Sequence, residues 1–449
     1  MHLEPARWID EAAHRTPVIA CPDVLVVGGG AAGLFAACAA ARAGVQTMLI
    51  ERYGFLGGTL TAVTLGGFCG THAIVDRNSV ARMTGGLYLE LEERLRGREA
   101  ILPPQRHGRI VGVPYESASL KLIADEMTTQ YGVRVIHHTF AVAVQTENSH
   151  ISAVIVENKG GRAAIIPRIV IDCSGDGDVA AQAGAAFDLG ADGETQYASM
   201  MFRFGNVDVE KARGLSREDI RGFLEKAVAL GYQLPRVTIG VHFNPIPGVV
   251  HLNVTKIGDA NGKPYNCTDP NQLSEAERVG RRQVYLYEEV FRRFVPGFEQ
   301  ARVFDIGANV GIRETRLVHG EKTLSEEAVR NCVKPADRIA CSSWPLETHS
   351  AGLSTTWEYL PDAEYYGISY GCLIVRGLDN LLVAGRNLSA THVAQASARV
   401  AGPCFAMGEA AGLAAAMILR SNAPARDLGV SALQSELEDQ GAILSPALI

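Results

Sequence analysis

The sequence predicts an α/β fold, on three observations. A strand, a helix and a second strand follow one another near the N-terminus, a middle segment differs in composition, and the first composition returns near the C-terminus. The apolar run at 23–27 precedes a glycine-rich turn, residues 31–43 are almost all helix formers, and a second apolar run follows at 47–50. Short apolar runs of this kind are typical of parallel strands buried on both faces. They predict one complete β-α-β unit.

The domain organisation follows from composition and length. The apolar, glycine-rich texture returns after about residue 365, whereas the intervening segment carries more charge and more proline. A chain of 449 residues exceeds the size at which one hydrophobic core keeps growing. We therefore predict a discontinuous Rossmann-like nucleotide-binding domain at 1–190 and 346–449, interrupted by an inserted α+β domain at 191–345.

Periodicity and turn residues predict the remaining elements. Amphipathic spacing predicts two helices, and apolar runs between turns predict a β meander followed by another buried strand. In chain order these are helices at 87–98 and 117–131 and strands at 133–137, 140–147, 151–157 and 169–171. Near the C-terminus, GLDNLLVAGRN predicts a strand and PCFAMGEAAGLAAAMIL a nearly all-apolar helix.

The composition argues against several classes of protein. Hydrophobic residues make up 47% and charged residues 20%, as in a soluble globular protein. The net charge of -7 offers no positive field for nucleic acid or an anionic membrane. The nine cysteines contain no C-x-x-C pair, so we expect no metal site. The N-terminus shows no signal core and we identify no membrane segment, so we expect a cytoplasmic protein with reduced thiols.

A glycine triplet lies between the first strand and the first helix. Gly28, Gly30 and Gly33 form G-x-G-x-x-G, and Glu51 ends the next strand. Such glycines permit a tight turn, close approach of backbone to a diphosphate, and close packing of helix on strand. The helix N-terminus offers N–H groups to the diphosphate, and the acid accepts hydrogen bonds from ribose hydroxyls while repelling a 2′-phosphate. The pattern predicts a dinucleotide other than NADP, without distinguishing FAD from NAD.

Three segments together resemble one family. VLVVGGGAAGLFAACAAARAGVQTMLIER, IVIDCSGDGDVAAQAGA and GLDNLLVAGRNLSATHVAQASARVAGPCFAMGEAAGLAAAM are similar, in order and placement, to three motifs of FAD-dependent oxidoreductases. The resemblance is to the glutathione-reductase-like superfamily, on the side related to fumarate reductase flavoproteins. NAD dehydrogenases have no counterpart to the third segment. The second motif carries Cys173-Ser174-Gly175 where these flavoproteins usually have Ala-Thr-Gly, and small residues are kept.

The resemblance implies that the cofactor is FAD and indicates which residues bind it. Gly385 and Arg386 are expected near the diphosphate and ribityl chain. The helix that opens after Gly402-Pro403 is expected to point its positive N-terminus at the flavin pyrimidine ring, unless it is only a buried core helix. The complete set of expected cofactor residues is Gly28, Gly30, Ala32, Gly33, Glu51, Arg52, Gly58, Gly175, Asp176, Gly385, Arg386, Gly402, Ala406 and Met407.

Candidate catalytic groups are cations and histidines in segments that resemble flavin-proximal or substrate-facing stretches: His72, Arg313, Arg316, His349, His392 and Arg399. An arginine of GIRETR is expected either to clamp a substrate carboxylate or to pair internally with Glu314. A histidine at position 349 suits general acid–base catalysis as well as a structural role. His72 or Cys69 is considered as a covalent flavin tether. Tyr366 and Tyr370 are either core aromatics or proton donors.

These observations predict an FAD-dependent oxidoreductase that acts on a small organic substrate by hydride transfer to or from the flavin. The absence of a second glycine triplet and of a cysteine redox pair favours a dehydrogenase or oxidase over a disulfide reductase. Two alternatives stay open: a flavin monooxygenase reduced by NAD(P)H, and an electron-transfer subunit of a larger complex. The expected partners are a small-molecule substrate and an electron acceptor of unknown identity, and homo-oligomerisation stays open.

Overall fold

The computed structural model describes residues 8–9, 15–76, 79–348 and 355–448. The strands in this part of the chain are β1 (Val18–Ala20), β2 (Val24–Val27), β3 (Thr47–Ile50), β4 (Phe68–Cys69), β5 (His72–Ile74), β6 (Val80–Arg82), β7 (Gln105–His107), β8 (Ile110–Val113), β9 (Arg134–Ile136), β10 (Phe140–Glu147), β11 (His150–Asn158), β12 (Gly161–Ile165), β13 (Ile169–Asp172), β14 (Phe187–Leu189), β15 (Phe202–Gly205), β16 (Gly240–Phe243), β17 (Val250–Asn253), β18 (Arg302–Ile306), β19 (Arg316–Val318), β20 (Arg338–Ser342), β21 (Leu346–Thr348), β22 (Thr356–Glu358), β23 (Tyr366–Ser369) and β24 (Leu381–Val383).

The helices of the same residues are α1 (Ala31–Arg42), α2 (Thr59–Ala62), α3 (Leu87–Gly97), α4 (Ser117–Gln130), α5 (Asp178–Gln182), α6 (Val209–Arg213), α7 (Arg217–Ala229), α8 (Pro270–Phe294), α9 (Glu326–Arg330), α10 (His392–Ala398), α11 (Ala401–Ser421) and α12 (Val430–Asp439). Two 3₁₀ helices lie at Tyr370–Cys372 and Ala425–Asp427.

A five-stranded parallel sheet forms the centre of the α/β part, with strand order β24-β13-β2-β3-β9. All four residues of β2, β3 and β13 are buried, because helices or other strands cover both faces of the sheet. The predicted β-α-β unit is confirmed, with its helix ending one residue earlier than expected. The predicted helices at 87–98 and 117–131 are confirmed to within one residue at their ends.

Helix α11 packs along α1 through glycines. A Cβ on Gly408 would lie 2.1 Å from the Ala32 carbonyl oxygen, and one on Gly412 would lie 2.1 Å from that of Ala36. Side chains at these two positions would therefore separate the helices. By length and composition, α11 is the one described helix that could cross a membrane. In its most apolar stretch of 18 residues, 83% of the residues are buried inside the protein.

The strand predicted at 133–137 forms as β9, at the edge of the parallel sheet and not in the meander. The predicted strands at 140–147 and 151–157 are confirmed as the antiparallel pair β10 and β11, and this meander is completed by β12, which was not predicted, with β1 added in parallel at the edge. Its buried face shares a hydrophobic core with one face of the parallel sheet, through side chains such as Val154 and Val170. The other face of the parallel sheet packs on α1 and α11. The mixed α/β class predicted from sequence is thus confirmed.

The middle of the chain builds a second sheet and a second core. Strands β16-β17-β15-β18 pair antiparallel, and the long helix α8 packs on them. The buried members of this core run from Ala198 to Ile312. Residues such as Leu324 and Ala340 belong instead to the core that contains α1 and α11.

Candidate active site

One cavity of about 500 Å³ connects the glycine turn to the second sheet. Its volume lies within the range of about 300–1,000 Å³ common for small-molecule sites. At one end its wall contains Gly28, Gly30 and Glu51, and at the other Arg313 and Arg399. Residues from the first strand–turn–helix unit and from the middle of the chain therefore face the same space.

The three glycines of the turn serve different needs. A Cβ on Gly28 would meet the Cys173 carbonyl oxygen at 2.6 Å, and one on Gly33 would meet that of Gly28 at 1.8 Å, so the fold itself excludes side chains there. For Gly30, the nearest atom beyond its chain neighbours is Gly58 Cα at 3.7 Å, an ordinary contact. Packing alone does not require glycine at position 30. The free space beside it is what a bound diphosphate would need.

Unpaired backbone donors and one carboxylate shape this end of the cavity. Helix α1 starts at Ala31 with no side-chain cap, so its first N–H groups and positive dipole end are available to an anion. The Glu51 carboxylate, 4% exposed, accepts hydrogen bonds from Gly29 N at 2.7 Å and Tyr53 N at 2.9 Å. It fixes the turn while still lining the cavity.

A buried ion pair lies behind the diphosphate end. Asp176 Oδ1 accepts a hydrogen bond from Arg386 Nη2 at 2.9 Å and another from Thr315 Oγ1. Burial acts to raise the pKa of Asp176, but the neighbouring Arg386 and Arg52 guanidiniums outweigh it and hold the pKa below its ordinary value. Arg386 lines the cavity, and its buried Nη1 has no hydrogen-bond partner. Asp176 therefore orients Arg386, which keeps a free donor.

The N-terminus of α11 also reaches the cavity. Val400, Ala401 and Cys404 line it, whereas Gly402 turns away, because a Cβ there would lie 2.2 Å from the Gly70 carbonyl oxygen. Of the residues expected to bind the cofactor, the following line the cavity: Gly28, Gly30, Ala32, Glu51, Arg52, Gly58, Gly175, Gly385 and Arg386. Those that do not line it are Gly33, Asp176, Gly402, Ala406 and Met407.

The candidate catalytic residues separate into two groups. Arg313 and Arg399 line the cavity, and His72, Arg316 and His392 do not. His72 is buried, and the distance between its Nδ1 and Thr71 Oγ1 is 3.1 Å. Residue 349, the remaining histidine candidate, lies outside the described residues.

The internal ion pair expected between an arginine of GIRETR and Glu314 is wrong. Arg313 donates to Tyr197 O and Ser199 Oγ, and Arg316 donates to Asp178 Oδ1 at 2.9 Å. Glu314 instead lies 2.7 Å from His392 Nδ1. Successive side chains in this segment point in different directions, so Glu314 and the two arginines contact different neighbours although they are close in sequence.

Other side chains considered from the sequence are engaged in the interior. Tyr366 Oη is 2.7 Å from Ser397 Oγ, and Tyr370 Oη donates to Ala425 O at 3.2 Å, so both are satisfied core aromatics. Cys69 lines the cavity, and burial followed by the charge of Glu347 raises the pKa of its thiol to about 12. A protonated thiol is a poor nucleophile, which disfavours Cys69 as a covalent tether.

Several residues of the cavity wall were not predicted from the sequence. Arg236, His242, Trp344, Glu347 and Trp357 all line it. They come from the second sheet and from the segment around β21 and β22, where no motif was recognised. The one signal available was composition, because two of the three tryptophans of the chain lie within this short segment.

Three histidines with unpaired nitrogens lie side by side next to the cavity. The ring centroids of His107 and His242 are 4.9 Å apart, and those of His242 and His251 are 5.6 Å apart. Both ring nitrogens of His251 are buried without a hydrogen-bond partner, as is one nitrogen of each of the others. Burial lowers the pKa of His107 to about 4 and that of His251 to about 3, and it also lowers the pKa of His242. All three are neutral at pH 7.

This cluster predicts a specific acid sensitivity. A histidine whose folded-state pKa is depressed binds its proton in the unfolded chain first, so stability is complete above about pH 6.5 and falls as the pH drops toward 4. His251→Leu should reduce the loss in unfolding free energy between pH 7 and 4 by on the order of 2 kcal/mol. Urea titrations across this range measure it. His319→Gln, at an exposed histidine paired with Asp188, is the control. An unchanged pH dependence in His251→Leu would contradict the assignment.

Comparison with known proteins places this geometry in a family. A family model described as FAD dependent oxidoreductase matches residues 23–437. No curated protein matches the chain.

Among solved structures, the chain is similar to a geranylgeranyl bacteriochlorophyll reductase-like protein from Thermoplasma acidophilum, with 15% identity over 94% of this chain and 84% of that one and a TM-score of 0.48. It is also similar to CabE, an aromatic hydroxylase from angucycline biosynthesis, with 15% identity over 94% and 66% of the chains and a TM-score of 0.48. A third similar structure is p-nitrophenol 4-monooxygenase from Pseudomonas putida, with 15% identity over 94% and 81% and a TM-score of 0.42. Because the family model spans nearly the whole sequence, the chain belongs to the FAD dependent oxidoreductase family and is an enzyme that uses FAD.

Proposed function

We propose that this FAD-dependent oxidoreductase is a dehydrogenase or oxidase of a small organic substrate, related to the fumarate reductase side of the glutathione-reductase-like superfamily. The observation that carries the proposal is the single cavity, which joins the glycine turn to a buried wall containing Arg313 and Arg399. A dinucleotide held at one end leaves the other end for a substrate. The shared space suits direct transfer between the two.

Different residues of the chain would bind the cofactor and the substrate. When bound, FAD supplies a two-electron acceptor or donor of hydride. Gly30, the first N–H groups of α1 and the free donor of Arg386 fit the diphosphate. Glu51 fits the ribose hydroxyls. At the substrate end, the buried guanidinium groups would stabilise negative charge that develops on the substrate.

We further propose that the substrate end is an inserted α+β domain, as expected for residues 191–345, between the two parts of a Rossmann-like FAD domain at 1–190 and 346–449. The separate core between Ala198 and Ile312 supports this arrangement. An electron acceptor other than the flavin and a cytoplasmic location complete the proposal.

Anaerobic titration tests the proposed reaction. The purified protein is expected to be yellow and to release FAD on denaturation. A panel of small hydroxy acids, amines, cyclic ketones and enoates should contain a compound that changes the flavin redox state without NAD(P)H. Bleaching by NAD(P)H alone would instead indicate the monooxygenase. A protein that stays colourless after reconstitution with FAD would contradict the FAD function itself.

A further inference from the structure

The substrate end of the cavity has more positive charge than the protein neutralises. Three buried guanidinium groups, those of Arg236, Arg313 and Arg399, line it together with the carboxylate of Glu347. Arg217, Arg221 and Glu218 line the cavity as well, so among these described residues the cations outnumber the carboxylates by five to two. The other acid close by, Glu314, is 2.7 Å from His392. Burial of charge is costly unless a counter-charge or hydrogen bonds compensate it. The wall therefore suits a ligand that brings negative charge.

Of the three cations, Arg236 makes the weakest side-chain hydrogen bonds to the rest of the described protein. It is 7% exposed, and burial affects its pKa more than the nearby charge of Glu347 does. Its Nε donates to Thr238 Oγ1 at the long distance of 3.4 Å. By contrast, the guanidinium group of Arg313 donates hydrogen bonds to Tyr197 O, Ser199 Oγ and Asn253 Oδ1. Both terminal nitrogens of Arg236 are thus left for a ligand in the cavity.

The backbone of Arg236 is held firmly in place. The hydroxyl of the buried Tyr287, on α8, donates to Arg236 O at 2.6 Å and accepts from Arg236 N at 3.2 Å. Burial lowers the pKa of Arg236 and the nearby Glu347 raises it, with a net lowering. A fixed, buried guanidinium presents a planar fork that matches a carboxylate.

Arg399 adds a second open donor. Its Nε is buried without a hydrogen-bond partner, and its Nη2 makes one long contact of 3.3 Å to Gln196 Oε1. Burial and the nearby Arg399 cation lower the pKa of Arg313 to about 9, so that group also stays charged at neutral pH. The positive charges of Arg399 and Arg236 both disfavour the charged form of Arg313, and an anion beside these groups would relieve this repulsion.

Aromatic rings form the adjoining wall. The centroids of Trp344 and Trp357 are 6.2 Å apart, and Trp357 stacks with Tyr359 at 6.0 Å and an interplanar angle of 9°. All three line the cavity, and Trp344 Nε1 donates to Glu347 Oε2 at 3.2 Å, which ties this wall to the charged group. Flat aromatic surfaces pack well against planar apolar groups.

We propose that the substrate is a planar aromatic carboxylate, with Arg236 as the primary ligand of the carboxylate and the Trp344–Trp357 pair as the wall for the ring. This inference rests on the proposed function, because it names the substrate class of the same cavity. In this arrangement Arg236 and Arg399 recognise the charge of the carboxylate, and the aromatic wall recognises the shape of the ring.

Binding of three probes to the FAD-loaded protein tests the proposal. Benzoate carries both features, benzamide has the same shape without charge, and acetate has the charge without the ring. Calorimetry measures affinity, and tryptophan fluorescence reports the site directly, because two of the three tryptophans of the chain line it. Benzoate should bind at least about tenfold more tightly than benzamide or acetate. No binding of benzoate, or equal affinity for benzoate and benzamide, would overturn the proposal.

Variants assign the charge recognition. Arg236→Gln should lose at least about tenfold in benzoate affinity and leave benzamide unchanged, and Arg236→Lys should retain part of the affinity. Arg278→Gln, at an exposed arginine of α8, should match the wild type. If Arg236→Gln does not fold, the wild-type comparison of benzoate with benzamide still decides.

The outcomes also separate this proposal from the proposed function. A protein that holds FAD but does not discriminate between benzoate and benzamide overturns the carboxylate site alone. A protein that discriminates between them but whose flavin is bleached by NAD(P)H alone supports the carboxylate site and contradicts the proposed dehydrogenase or oxidase reaction.

Discussion

Gly30→Val is expected to give a folded protein that does not retain FAD. Gly30 lines the cavity, and a Cβ there meets nothing closer than Gly58 Cα at 3.7 Å, so the backbone at this position accepts a β-carbon without a clash. The space that the side chain would fill is the space that a diphosphate at the start of α1 needs. Thermal unfolding should stay within a few degrees of that of the wild-type apoprotein, which likewise lacks the stabilisation from bound FAD, while FAD content after purification should fall at least about tenfold.

Two glycine variants act as controls for this result. Gly33→Ala places its Cβ 1.8 Å from the Gly28 carbonyl oxygen and should destabilise the protein itself. Gly222→Val, at an exposed position of α7 with nothing within 4 Å of the new Cβ, should change neither property by much. If Gly30→Val keeps its full FAD content, the diphosphate does not lie where the glycine turn indicates.

The part of the fold that sequence predicted well is the part whose signal is local. The strand at 24–27, the helix at 31–42 and the strand at 47–50 carry apolar periodicity, helix formers and turn glycines within one short stretch. Their positions therefore follow from neighbours along the chain. The roles of Gly28 and Gly33 in close packing followed from the same stretch.

The C-terminal motif was predicted correctly as an element but less well residue by residue. A helix turns 100° per residue, so neighbouring positions face different surroundings. Val400, Ala401 and Cys404 share the side that faces the cavity, and Gly402 and Met407 face packing partners instead. The motif located the helix, but its rotation is set by glycine contacts with α1 that no local pattern encodes.

The substrate end was largely beyond sequence analysis, because its residues meet through long-range packing. Arg236 follows α7, Trp344 and Glu347 come more than a hundred residues later, and no spacing rule connects them. The partner of Glu314 shows the same limit: His392 lies 78 residues away in sequence and 2.7 Å away in space. The partner of a buried charge is determined by which groups the fold brings close to it, not by which residues are near in sequence.

Arg399→Gln is expected to retain FAD and thermal stability and to slow reduction of the flavin by a verified substrate by about a hundredfold or more. Arg399 lines the cavity two residues before the start of α11, and among the described residues its Nε lacks an acceptor. A cation whose position is set by the fold can stabilise negative charge that develops during hydride transfer, without reorganisation. Glutamine keeps a polar side chain with an N–H donor near the position of Nε but removes the charge. Stopped-flow absorbance under anaerobic conditions measures the rate.

Arg316 provides the matched comparison, because it was an equal candidate from sequence but occupies a different setting. It donates to Asp176 O and Asp178 Oδ1, both at 2.9 Å, and does not line the cavity. Arg316→Gln should therefore lower the unfolding temperature or FAD content while flavin reduction in the loaded fraction stays near the wild-type rate. The two variants thus separate a cation that acts on the substrate from one that holds the protein together. Wild-type reduction rates in Arg399→Gln would exclude Arg399 from the chemical step and direct attention to Arg313 and His242, which line the same wall.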